Sequence, residues 1–196
     1  GMVFFVLMGA ACGFLMVMYI DKFTTQRTIH EEVLSLIGLL LVMYVAILVQ
    51  MIVHEAGHLV FGLLSGYKFS SFRIFSFMWV KEDDKIRLRR FSIAGTGGQC
   101  LMTPPDMVDG KIPVVFYNLG GALMNIIVGV VSLGLFFFFE NVPFLSTVML
   151  MFAVIGFILA LMNGIPMRLG TVDNDGYNAF ALTRNAEAMR SFWVQM

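Results

Sequence analysis

Residues 54–58 read His-Glu-Ala-Gly-His, an H-E-x-x-H pentapeptide inside an apolar run at 33–64. On a helix, positions i and i+4 share one face, so the imidazoles of His54 and His58 can bind one metal ion. Glu55 projects beside the same point, where it can take a proton from a water molecule on the metal. Such a cluster is costly in an apolar helix unless its members bind a metal or one another. The pattern therefore predicts either a functional metal centre or a hydrogen-bonded polar cluster that holds helices together.

The composition around this motif is that of a membrane protein. Of the 196 residues, 59% are hydrophobic and only 13% are charged, whereas soluble domains carry about 25% charged residues. The formal net charge is zero, which gives no basis for a nucleic-acid partner. The only cysteines are Cys12, in an apolar run, and Cys100, in a predicted loop, so no disulfide framework is present. We therefore expect a polytopic protein of the lipid bilayer.

Four segments are long and apolar enough to cross a bilayer, at 2–20, 33–64, 113–139 and 144–162. The first is expected to be a retained accessory span, because it lacks the basic region and the clear cleavage site of a signal peptide. We expect a single membrane-embedded domain over residues 1–196, with residues 33–176 as its core. Residues 177–196 suit a C-terminal amphipathic helix.

The stretch between the second and third spans has a different pattern. Residues 67–80 are rich in aromatic residues with partial alternation, and eight of the ten residues at 81–90 are charged. This pattern favours a β-hairpin, with a solvated connector as the alternative. Residues 94–112 are rich in Gly and Pro and are expected to form a loop. The predicted fold is therefore all-α, with about four transmembrane helices and a small membrane-associated β-hairpin between the second and third.

The distribution of basic residues predicts the orientation. With four crossings, Lys22 and Arg27 lie on one side, and the remaining 11 of the 13 Lys and Arg residues lie on the other. The positive-inside rule makes the second side cytoplasmic. That side carries residues 65–112 and 163–196, so the end of the His54/His58 helix and the C-terminal region share it.

A catalytic zinc ion commonly has three protein ligands and one open position. Outside the charged hairpin, two stretches on the same side offer a carboxylate as the third ligand: Asp106 and Asp109 in one, Asp173 and Asp175 in the other. Asn125, at membrane depth in the third span, can either bond one helix to another or hydrogen-bond a substrate backbone or an oxyanion.

Three motifs in this order resemble the site-2 protease family of intramembrane zinc metalloproteases, over residues of about 45–180. They are H-E-x-x-H at 54–58, G-x-x-x-N at 121–125, and N-x-x-P at 163–166 followed by D-G at 175–176. The sequence departs from the family in one respect: the gap from Asn163 to Asp175 is longer by roughly one helical turn.

The resemblance implies particular roles for these residues. Asp175 would be the third zinc ligand beside His54 and His58, with one Zn²⁺ per chain, and Asp173 remains an alternative because of the longer gap. Glu55 would be the general base. Asn125 and Asn163 would be the candidates to hold the oxyanion or the substrate backbone.

The implied activity is hydrolysis of peptide bonds in or near the transmembrane segments of membrane protein or peptide substrates. The strands at 67–93 would pair with an extended substrate segment. The protein would be a multi-pass cell-membrane protein whose active site opens toward the cytoplasm. A catalytically inactive membrane chaperone and a zinc or ion transporter are the competing interpretations. A transporter would not need a glutamate directly after the first histidine.

Overall fold

Three helices of the described part of the chain are long and apolar enough to cross a membrane. The computed structural model describes residues 9–10, 13–14, 17–18, 28–93, 97–169 and 172–195. The helices are α1 (Ile29–Leu64, 36 residues), α2 (Val114–Phe138, 25 residues) and α3 (Pro143–Gly164, 22 residues). They match the last three predicted spans within a few residues at each end. The predicted span at 2–20 falls largely outside the described residues, so a fourth crossing stays a prediction.

The described residues form two compact units, and the first comprises those that lie within 1–50 and 126–159. In its described part, Ala46 of α1 and Ile155 of α3 are fully buried in one apolar cluster. Gln50 is also fully buried, and its Nε2 donates a hydrogen bond of 2.8 Å to the Phe152 carbonyl. This bond satisfies an amide that would be costly to bury unpaired.

The second unit comprises residues 51–125 and 160–196, and a four-stranded antiparallel sheet is its main β element. The strands are β1 (Lys68–Ile74), β2 (Phe77–Glu82), β3 (Lys85–Arg90) and β4 (Gly98–Thr103), in the order β3-β2-β1-β4. Asp83 and Asp84 form the turn between β2 and β3 with φ of 48° and 61°, the positive values that tight hairpin turns require. All six residues of the edge strand β3 are exposed.

The prediction of a hairpin followed by a loop was therefore incomplete in two places: residues 67–80 divide between the two strands β1 and β2, and the predicted loop contains β4. Residues 98–103, predicted as loop, pair with β1 along its length, from Lys68↔Thr103 to Ile74↔Gly98. Cys100 and Met102 alternate inward and are buried in a cluster with Tyr67 and Tyr117. Two inward side chains in a Gly- and Pro-rich stretch give too little alternation to be recognised as a strand.

The C-terminal region contains a short hairpin and two helices in place of the one helix predicted at 177–196. Strands β5 (Arg168–Leu169) and β6 (Val172–Asp173) precede α4 (Asp175–Arg184) and α5 (Ala186–Gln195). Asn185 separates the helices: its backbone N–H ends α4 on the Ala181 carbonyl, and its Oδ1 accepts a hydrogen bond of 2.9 Å from the Glu187 amide of α5. An Asn with extended backbone is a good N-cap, so the chain starts a new helix there.

Candidate metal centre

His54, His58 and Asp175 converge in the second unit. His54 and His58 lie one turn apart on α1 and are buried, with exposed fractions of 9% and 8%. Oδ2 of Asp175 lies 3.0 Å from His54 Nε2 and 3.3 Å from His58 Nε2, and the two Nε2 atoms are 3.2 Å apart. The three residues form a group whose ligand atoms lie within 4.8 Å of one another.

The remaining ring nitrogens show which atoms face the centre of this group. Nδ1 of His58 donates to the Tyr117 carbonyl at 2.8 Å, and Nδ1 of His54 donates to Oδ1 of Asn125 at 2.8 Å. An acceptor on each Nδ1 keeps the proton of a neutral imidazole there and leaves the lone pair on Nε2. Two lone pairs and a carboxylate oxygen therefore meet within about hydrogen-bond distance, which is unfavourable without a cation between them. The donor set of two imidazoles and one carboxylate fits a catalytic zinc ion.

The pKa of Asp175 has the direction expected of a ligand carboxylate. Burial raises this pKa, but hydrogen bonds from the His54 and His58 rings, formed when these rings also carry a proton on Nε2 and no ion is bound, outweigh burial and lower it. The carboxylate is therefore ionised at neutral pH, which is the form that binds a metal.

Asn125 makes a contact that bears on both roles suggested by the sequence. It lies on α2, is fully buried, and accepts the hydrogen bond from His54. Through that bond it joins α2 to α1 and fixes the orientation of the imidazole. Partners of this kind tune ligand basicity and geometry.

Paired glycines let the two helices approach closely at this point. A Cβ on Gly120 would lie 2.6 Å from the Gly57 carbonyl oxygen, and a Cβ on Gly121 would lie 2.6 Å from His54 Nδ1. Both distances are far below van der Waals contact, so a larger residue at Gly120 would force the α1 backbone to shift, and one at Gly121 would force the His54 ring to move. The first glycine of G-x-x-x-N therefore makes room for the imidazole ring of His54.

Glu55 lies beside the beginning of β4. A Cβ on Gly98 would lie 2.7 Å from Oε1 of Glu55, so the strand backbone lies directly against this carboxylate. Arg73 of β1, 1% exposed, donates to the Gly98 carbonyl at 3.3 Å and to the Phe75 carbonyl at 2.8 Å. The first residue of β4 is thus held between a buried guanidinium and Glu55.

The other candidate carboxylates lie elsewhere. Asp173 is the last residue of β6, is exposed, and forms an ion pair with Arg168 at 3.5 Å. It does not cap α4: the N-cap is Asn174. Asp106 and Asp109 are exposed in the segment before α2. Among the described residues, the candidate metal-binding group therefore contains Asp175 alone of the four aspartates.

Asn163 is half-buried in the last turn of α3, next to Gly164. The carbonyl of Gly164 is in close contact with Gly176, so the N-x-x-P break and the D-G motif touch. Three groups at or beside the candidate metal centre were not predicted from the sequence: the Tyr117 carbonyl, Gly98 and Asn174. Only Asn174 carried a usable signal, because Asn is a preferred residue before the first turn of a helix.

The family model described as peptidase M50B-like matches residues 33–172. This chain belongs to that family, which confirms the resemblance to the site-2 proteases that the motifs indicated. The membership supports a protease, and the three apolar helices support a membrane protein. No curated protein sequence and no solved structure matches the chain.

Proposed function

We propose that this chain is an intramembrane zinc metalloprotease that hydrolyses peptide bonds in or near transmembrane segments of its substrates. The observation that carries the proposal is the convergence of His54, His58 and Asp175 on one point, with Glu55 next in sequence to the first ligand. The H-E-x-x-H and D-G motifs thus come together although His54 and Asp175 are 121 positions apart in sequence.

The proposed chemistry assigns one role to each residue. A zinc ion held by His54, His58 and Asp175 would lower the pKa of a water molecule and polarise the scissile carbonyl. A carboxylate oxygen of Glu55 takes the proton from the attacking water and delivers it to the amine nitrogen that leaves. Asn125 orients His54, and Asn163 is the remaining candidate for a contact with the substrate backbone.

The sheet supplies a route for the substrate. Strand β4 is at the end of the order β3-β2-β1-β4, so one of its edges is unpaired within the sheet. An extended peptide that adds to this edge gains main-chain hydrogen bonds. Because Gly98, the first residue of β4, lies against Glu55, such a strand would pass the general base. A helical substrate must unwind locally to present its peptide bond in this way.

The β2–β3 hairpin is suited to the membrane surface. Trp79 pairs with Leu88 and Phe77 with Arg90, so one face carries exposed aromatic and aliphatic groups flanked by basic ones. Amphipathic aromatic residues and cations favour the bilayer interface. We propose that this face rests on the cytoplasmic leaflet, where most of the basic residues of the chain would lie.

The test is cleavage of a membrane-spanning reporter by the purified full chain, with zinc measured on the same samples. Glu55→Gln is expected to keep one zinc per chain and to lower the cleavage rate by at least about a hundredfold, since general-base catalysis contributes about 10²–10⁴. Glu32→Gln, an exposed carboxylate near the start of the same helix, is the matched control and should cleave normally. Chelation should abolish cleavage and added zinc restore it.

A cleavage rate near that of wild type in Glu55→Gln would contradict the proposed role of Glu55 as general base. Zinc flux into liposomes without cleavage would favour the transporter, and zinc binding with neither flux nor cleavage would favour an inactive chaperone.

A further inference from the structure

Asn174, the residue directly before Asp175, is buried and uses its whole side-chain amide in hydrogen bonds to backbone groups. It is 7% exposed. Its Oδ1 accepts from the Tyr177 amide at 2.9 Å and from the Met167 amide at 2.9 Å. Its Nδ2 donates to the Met162 carbonyl at 2.7 Å and to the Ile165 carbonyl at 2.6 Å. Two donor hydrogens and two acceptor lone pairs are the whole capacity of an asparagine amide, and all four are used.

Two of the four partners lie in helix ends, and the other two, Ile165 and Met167, lie in the segment that follows α3. Tyr177 is in the first turn of α4, whose free amides need acceptors, and Met162 is in the last turn of α3, whose carbonyls need donors. One side chain therefore caps the start of α4 and the end of α3 together. No other common side chain of this size offers both functions, because Asp and Ser lack the two amide hydrogens.

This clamp fixes the backbone on both sides of Asp175. Before it, the Asn174 amide donates to the Met167 carbonyl at 3.2 Å. After it, Gly176 lies directly against the Gly164 backbone. Asp175 stands between these two attachments, and its Oδ2 reaches both histidine Nε2 atoms.

We propose that Asn174 is a positioning residue that holds Asp175 in place as the third ligand of the metal. The inference rests on the proposed function only in taking zinc as the ion. It assigns to Asn174 a contribution to metal affinity beyond ordinary helix capping, exerted through the two Nδ2 hydrogen bonds to the end of α3.

The informative substitution is Asn174→Asp. Aspartate keeps the acceptor that caps α4, but it removes both donors and sets a negative charge against the Met162 and Ile165 carbonyls. If Asn174 only caps α4, and if instead it also holds Asp175 in place, the substitution changes zinc affinity in opposite directions. A negative charge beside the site would by itself tighten zinc binding, whereas loss of the clamp weakens it, by about 10–100-fold for a supporting residue of this kind.

The experiment is zinc competition with a chromophoric chelator on the detergent-purified full chain, together with kcat and KM for the membrane-spanning reporter. Asn185→Asp is the matched control, because Asn185 caps α5 with the same oxygen and, within the described part of the chain, bonds to residues of α4 and α5 and not to α3. We expect Asn174→Asp to bind zinc about 10–100-fold more weakly and to lose kcat with little change in KM, and Asn185→Asp to match wild type.

Asn174→Ser serves as the second variant, since it retains a neutral N-cap and also lacks the donors. It is decisive if Asn174→Asp fails to elute as a folded species, and the same weakening is expected of it. Zinc affinity equal to wild type or tighter in a folded Asn174 variant would overturn the clamp. Wild-type protein that binds zinc but cleaves no reporter would contradict the proposed function and leave the zinc comparison standing.

Discussion

At the scale of single residues, Asp173 and Asp175 differ by two positions in sequence and completely in surroundings. Asp175→Asn is expected to weaken zinc binding by more than about a hundredfold, beyond the 10–100-fold typical of a supporting residue, because it removes a charged ligand. Asp173→Asn loses only an exposed ion pair with Arg168, worth about 0–1 kcal/mol, and should keep zinc and activity. Zinc stoichiometry of both variants after identical purification checks the assignment. Metal lost from Asp173→Asn but kept by Asp175→Asn would contradict it.

The candidate site residues that could be predicted from the sequence were those with ionisable side chains. We could recognise His54, Glu55 and His58 as candidates because ionisable groups are rare in apolar segments. Asn174 did not, because an asparagine among aspartates in a polar stretch looks like an ordinary loop residue. Its proposed role depends on two carbonyls and two amides that only the folded chain brings around it, and no local pattern encodes that arrangement.

At the scale of elements, α1 contacts α2 through Gly57 and Gly120. This contact predicts that two Gly→Ala substitutions in α2 change the stability of the protein in opposite directions. Gly120→Ala places a methyl group against the Gly57 carbonyl, so it should destabilise the protein by about 1–3 kcal/mol. Gly134→Ala, in the same helix with nothing within 4 Å of the added methyl, should be neutral or stabilising by up to about 1 kcal/mol. Thermal unfolding in one detergent, followed by helical circular dichroism, measures both. Equal effects of the two changes would show that the helices do not touch as described.

Helices and strands differed in how far the sequence could predict them. The three described spans were found within a few residues, since some twenty consecutive apolar residues in a chain of this composition have few other structures open to them. Aromatic alternation at 67–80 and the charged stretch at 81–90 favoured a hairpin in this region, with a solvated connector as the alternative, but they did not show that residues 67–80 divide into β1 and β2. Strand β4 could not be recognised, because it is defined by its partner: only pairing with β1 and burial of Cys100 and Met102 make residues 98–103 extended.

At the scale of the whole molecule, the charge distribution predicts the sidedness of the protein. Lys85→Cys, in the β2–β3 turn region, should react with a membrane-impermeant maleimide only after the membrane is opened, and Asn141→Cys, in the short loop between α2 and α3, should react in intact cells. Only Cys12 needs replacement as background. Burial, with a smaller contribution from the charge of Glu55, raises the pKa of the native Cys100 thiol to about 12. Below that pKa the thiol stays protonated, so at pH 7.5 it has almost no reactive thiolate.

The orientation would be overturned by labelling of Lys85→Cys in intact cells, and the cytoplasmic opening of the proposed site would be overturned with it. Denaturation should expose Cys100 and restore its ordinary reactivity with maleimide. Labelling of Cys100 in denatured protein is therefore the internal control for its lack of labelling in the folded chain.

The separation of 121 positions between His54 and Asp175 also orders events during biosynthesis. A ribosome adds about 5–20 residues per second, so roughly 6–24 s pass between synthesis of the first ligand and of the last. Throughout that interval the histidines are already in the nascent chain, while the carboxylate that completes the proposed site does not yet exist. If the proposed site is the active one, the chain would be unable to cleave neighbouring proteins at the insertion machinery until both ends of the site have been made and have met.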